Sequence, residues 1–171
     1  DVSYGRDAQG KLAYFETPTF GAANGTGFAG ITAEVSFDTT PGVYDSAVEI
    51  TLSAPEGETI HYTTDCTTPT ASSPVYDGPI HAEKNTVVRA VSVREGYITN
   101  QTVSGTFLFK SDGADHALPV VTLVTDPDNL WSSATGIYAY GDKYDPDLAT
   151  LGDILNTAQY YLSKKDPDAW E

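Results

Sequence analysis

Carboxylates are the most abundant chemistry-bearing side chains here, with 24 acidic residues against nine lysines and arginines and a formal net charge of −15. Asp126 and Asp128 stand two apart, and Asp142, Asp145 and Asp147 fall within one six-residue run. Such clusters suit a hard, oxygen-seeking cation, which makes calcium the cofactor to weigh. The D-x-D-x-D-G loop with a late Glu is missing, however. Asp-Pro-Asp recurs at Asp126, Asp145 and Asp166, and this tripeptide is what a helix start asks for, an aspartate cap followed by proline in the first helical position. Capping is the reading adopted, and calcium-stabilised adhesion is kept as an alternative.

Aromatic side chains are the second resource. Trp131, Tyr138 and Tyr140 lead a group in the C-terminal third that continues through Tyr144, Tyr160 and Tyr161. An exposed row of such rings could stack on sugars and make polysaccharide a partner, whereas a buried set would form a second small core. Nucleophilic catalysis finds no support. His61, His81 and His116 come without a G-x-S-x-G elbow, and His61 reads as a surface or rim imidazole. Cys66 sits beside Asp65, which disfavours a thiolate, and three histidines with one cysteine lack zinc spacing. Gly25-Thr26-Gly27-Phe28-Ala29-Gly30 matches G-x-G-x-x-G, but no strand–helix context surrounds it, so it reads as a flexible linker. No catalytic or cofactor-binding residue is therefore assigned.

The elements that must carry these groups are strands. Val48, Ile50 and Leu52 alternate with Glu49, Thr51 and Ser53, which is a one-sided strand. Ile60 to Thr64 is β-branched and aromatic. Thr86 to Val93 is apolar on both parities, as a central strand is, and Val103, Phe107 and Phe109 share one face of another. Turns at Pro41-Gly42, Pro55-Glu56-Gly57, Asp77-Gly78-Pro79 and Glu95-Gly96 separate them, the spacing of an all-β sandwich. One helix is predicted after Asp145, from Leu148, Leu151, Ile154, Leu155, Ala158 and Leu162, with Lys164 and Lys165 at its end.

The residues also resemble known families. Tyr62-Thr63-Thr64-Asp65-Cys66-Thr67-Thr68-Pro69-Thr70, with the runs around it over roughly 32 to 110, is similar to the chitobiase/β-hexosaminidase C-terminal domain, an immunoglobulin-like module. Cys66 stands where that family usually has glycine. If the turn needs φ > 0, the chain adopts it with a strained residue or reshapes it. Residues 1–31, through Tyr14-Phe15 and Thr17 to Asn24, resemble the closing strand of a lamin-tail domain plus a linker, expected to pack on its neighbour or trail. Residues 111–171, through Leu118 to Trp131 and Gly136-Ile137-Tyr138, resemble the opening of a CotH domain, a family of spore-coat proteins that includes atypical kinases.

The resulting expectation is a mainly β chain, an immunoglobulin-like antiparallel β-sandwich with a C-terminal extension containing one α-helix. It reads as a non-catalytic spacer or presentation module of a secreted or cell-surface bacterial protein, with its neighbouring domains as partners. The alternative from a different class is the N-terminal part of a CotH-like kinase. Acid is concentrated towards the C-terminus, ten acids against four bases over 32–110 and eleven against three over 111–171. That field repels phosphate backbones, and no apolar run approaches a membrane span, so neither nucleic acid nor membrane insertion is expected. A lone cysteine forms no internal disulfide, and the missing initiator methionine and leader suggest a piece of a longer secreted polypeptide.

Overall fold

The structure, a computed structural model, describes residues 2–115 and 119–139. It divides into two units, Asp1–Asp126 and Pro127–Glu171. The predicted helix over Leu148–Leu162 lies outside the described residues.

Twelve strands build the first unit: β1 (Ser3–Arg6), β2 (Leu12–Phe15), β3 (Gly30–Ile31), β4 (Ser36–Phe37), β5 (Gly42–Tyr44), β6 (Val48–Ile50), β7 (Leu52–Ser53), β8 (Thr59–Thr63), β9 (Ile80–Ala82), β10 (Thr86–Val93), β11 (Tyr97–Ile98) and β12 (Val103–Phe109). One layer is the sheet β5-β12-β10-β8. The other consists of the antiparallel pairs β4-β7 and β6-β9. β10 is central, antiparallel to both β12 and β8, as its two apolar parities require. Its Val88 and Ala90 are fully buried. Pairing is not wholly antiparallel, because β5 runs parallel to β12 in that sheet and β3 parallel to β11 in a separate two-stranded one.

Core side chains come from both layers. Val35, Ile50, Leu52 and Ala82 meet Ile60, Val88, Ala90, Phe107 and Phe109. Tyr44 packs its ring 6.1 Å from that of Phe107 and 6.0 Å from that of Phe109. The strand read as one unit from Val48 to Ser53 keeps its in-and-out alternation but changes partner halfway. Thr51 makes the change, its N–H donating to Thr39 Oγ1 at 3.0 Å and its carbonyl accepting from Asp38 N at 2.9 Å. Leu52 N then donates to the Tyr76 hydroxyl at 3.1 Å, so the break leaves neither amide unpaired.

The N-terminal segment is a hairpin of β1 and β2 with Tyr4 opposite Tyr14. Tyr14 exchanges two backbone hydrogen bonds with Phe28. This corrects the flexible-linker reading of Gly25 to Gly30. A Cβ on Gly27 would stand 2.5 Å from Ala13 Cβ, and one on Gly30 would stand 2.7 Å from the Tyr97 ring. Those glycines serve close packing.

Buried hydroxyls fasten this segment to the sandwich. Thr32 Oγ1 donates to Ser92 O at 3.0 Å and accepts from Asn100 N at 3.0 Å. Ser92 Oγ donates to Ala33 O at 2.5 Å, and both oxygens of Glu58 accept from Ala33 N.

Candidate functional site

The loop after β8 returns along that strand's free edge, where Tyr62 N donates to Pro74 O at 3.0 Å and Tyr76 N to Ile60 O at 2.9 Å, and its tip satisfies itself locally. Asp65 Oδ1 accepts from Thr67 N at 3.1 Å and from Thr67 Oγ1 at 2.5 Å. Those two bonds, the hydroxyl's first, hold its carboxyl below the ordinary value of 3.8. Thr70 N donates to Ser73 Oγ and Ser72 N to Thr70 Oγ1, while Thr63 Oγ1 donates to Thr67 O. Aspartate, threonine and serine oxygens replace the ladder across the tip around Pro69, and pairing with β8 resumes at Pro74.

Cys66 adopts φ +67°, so the turn is built as the glycine-bearing pattern implies, with a side chain in the left-handed region. Its carbonyl is held by Arg89 Nη1 at 2.6 Å, a backbone contact that any residue could offer. Cys66→Gly should therefore raise stability by about 1 kcal/mol through release of left-handed strain. A higher denaturant midpoint with unchanged slope checks it.

His61 is buried rather than rim-exposed, at 8%. It lies opposite Val91 on β10, itself 2% exposed. Its Nδ1 donates to Ser73 O at 2.7 Å, a structural role. His81 does lie at the surface, with Nδ1 2.6 Å from Glu49 Oε1 across the β6-β9 pair. The hydrogen bond to Glu49, then its charge, raises the imidazole above its ordinary 6.5. A raised folded value means the contribution is complete below pH 6.5 and fades as pH climbs through that higher value. The melting temperature should thus fall slightly from pH 6 towards 8, and His81→Asn should flatten that slope. His116 lies outside the described residues.

Asp126 Oδ2 accepts from Thr68 N at 3.1 Å and from Thr68 Oγ1 at 3.3 Å. In the second unit the short helix α1 (Asp128–Trp131) starts directly after Pro127, which is its N-cap position and carries no side-chain capping bond. The Asp-Pro-Asp at Asp126 does precede a helix, as that tripeptide implied, and the Asp126 carboxylate also reaches a loop amide and hydroxyl 58 residues away. In the second unit Asp128 occupies the first turn of α1. Among the described residues no three His, Cys, Asp or Glu side chains are grouped to hold a metal. Asp142, Asp145 and Asp147 lie outside them.

The second unit does bring two of the aromatic candidates together. Trp131 and Tyr138 stack with centroids 5.5 Å apart and planes 29° apart. They are 66% and 68% exposed, so they form no buried core. Tyr138 N donates to Leu130 O at 2.9 Å, Ile137 N to Asn129 O at 3.0 Å and Gly136 N to Ser132 O at 2.7 Å. The loop between the rings is therefore closed before any ligand arrives. Tyr140 lies outside the described residues.

Back in the first unit, an open groove of about 460 Å³ lies on the outer sheet face, walled by β5, β12 and residues 120–124, with no charged side chain along it. The sequence points to no such groove, and Thr68 figures in it only as one residue of the signature run Tyr62 to Thr70. A clue was available for Thr68, a hydroxyl and an amide just before Pro69 in a segment barred from the ladder.

Fold and loop together define an immunoglobulin-like, mainly β module. Residues 39–104 match the family model of the chitobiase/beta-hexosaminidase C-terminal domain, a non-catalytic, carbohydrate-associated immunoglobulin-like module. No curated protein matches the chain.

Proposed function

We propose that the chain is a non-catalytic spacer or presentation module of a secreted, multidomain bacterial surface protein, and that it associates with carbohydrate. The observation that carries the spacer reading is the core shared by both layers, from Val35 through Ile50 and Val88 to Phe109. Side chains interlocked across two layers resist shear and hold the ends of a module at fixed separation. The family match over 39–104 supports the carbohydrate association. The Trp131–Tyr138 stack supports it too, since an exposed, prearranged aromatic surface is what the apolar face of a pyranose packs on.

Pull-down on chitin, cellulose and peptidoglycan tests the association. Retention of the full chain on at least one, weakened by Trp131→Ala, is expected, and no retention on any would remove it. Incubation with ATP and magnesium tests the non-catalytic reading, which requires no phosphoryl transfer to a protein acceptor or to the chain itself.

A further inference from the structure

Residues 119–126 have the sequence of a strand, PVVTLVTD, yet among the described residues no backbone–backbone hydrogen bond involves 119–124. Something else orders them. Val120, Thr122 and Val124 line the groove together with Ser104, Thr106 and Leu108; Val120 is 44% exposed, against 92% and 87% for Val121 and Leu123 on the alternate positions. That alternation is an extended strap laid over the sheet with one edge inward. At its end, Asp126 is gripped by the amide and hydroxyl of Thr68. Bonds to an ionised acceptor are stronger than neutral ones, and the Asp65–Thr67 turn and the Thr70–Ser73 contacts already fix the loop that presents Thr68.

We propose that the outer sheet face is a docking surface for the chain's own strap, with Thr68 as its carboxylate receptor, so that the chain leaves the sandwich along a fixed track. The groove supplies an uncharged floor with hydroxyls and aliphatic groups, matched to the Val-Thr-Val edge of the strap. The receptor supplies direction, because a carboxylate is accepted at one end only. This gives the signature loop a job beyond closing a turn, and it turns a spacer with a loose exit into one with a set exit.

The inference deepens the spacer reading, and its failure is separable from it: a mobile strap would remove the fixed exit and leave a non-catalytic spacer in place. The test is ¹⁵N relaxation on the full chain. In the native protein, order parameters for Val120 to Val124 should lie near those of the sandwich, about 0.8, and in Asp126→Ala they should drop below about 0.6. Thr68→Ala, which keeps the amide, should fall between. Chemical shifts of β8, β10 and β12 serve as the control that the sandwich is intact. A native strap already below about 0.6, or an Asp126→Ala strap as ordered as the native one, would overturn the proposal.

Discussion

Phe107→Ala should cost the sandwich about 3–5 kcal/mol, the range for removing a fully buried aromatic ring from a packed core. Phe107 has no exposed surface, and the rings of Phe37 and Tyr44 lie 6.0 and 6.1 Å from its own. It sits on β12, between β5 and β10, where a void touches both sides of the sheet's centre line. Neighbouring strands cannot collapse into it without breaking the ladders at Gly42 and Thr86, its two register partners. Such a loss is a large part of the total stability of a small domain, so equilibrium denaturation should show a much lower midpoint or an unfolded chain. A midpoint within about 1 kcal/mol of native would mean that the ring is not in the core.

Thr32→Val should cost about 1–3 kcal/mol although it keeps shape and volume. Thr32 is 2% exposed, and its hydroxyl serves two backbone groups, Ser92 O and Asn100 N. A methyl in its place leaves a buried carbonyl and a part-buried amide without that partner, which is the expensive direction of hydrogen-bond loss. Serine retains the hydroxyl and should recover most of the deficit. Parallel denaturation of the Val and Ser variants checks this. Equal losses in both would assign the effect to packing.

The sandwich was legible because its information is local. Alternation at Val48, Ile50 and Leu52 and the double-sided apolarity of Thr86 to Val93 each follow from where a strand sits in a sheet. The change of partner at Thr51 was not legible, since it depends on Thr39 and Tyr76 arriving from elsewhere. The same holds for the parallel seat of β5 and for the packing of Gly27 under Ala13 and Phe15. At the candidate sites, the sequence singled out Trp131 and Tyr138 by type, but the loop closure that stacks them is a backbone property. Asp126 was read from its neighbours Pro127 and Asp128 as a cap. Its contact with Thr68 lies 58 residues away, and no local pattern announces a contact of that separation. Cys66 is the opposite case, where one departure from a glycine-bearing pattern correctly marked the residue that takes a positive φ.

The measurement that bears most directly on the mechanical reading is single-molecule extension of the full chain from its two ends. A sandwich whose two layers share one core should resist and then yield in one step, releasing β4 to β12, residues 36–109. The expected gain in contour length is on the order of 250 Å. Gradual lengthening at low force with no such step would contradict the account.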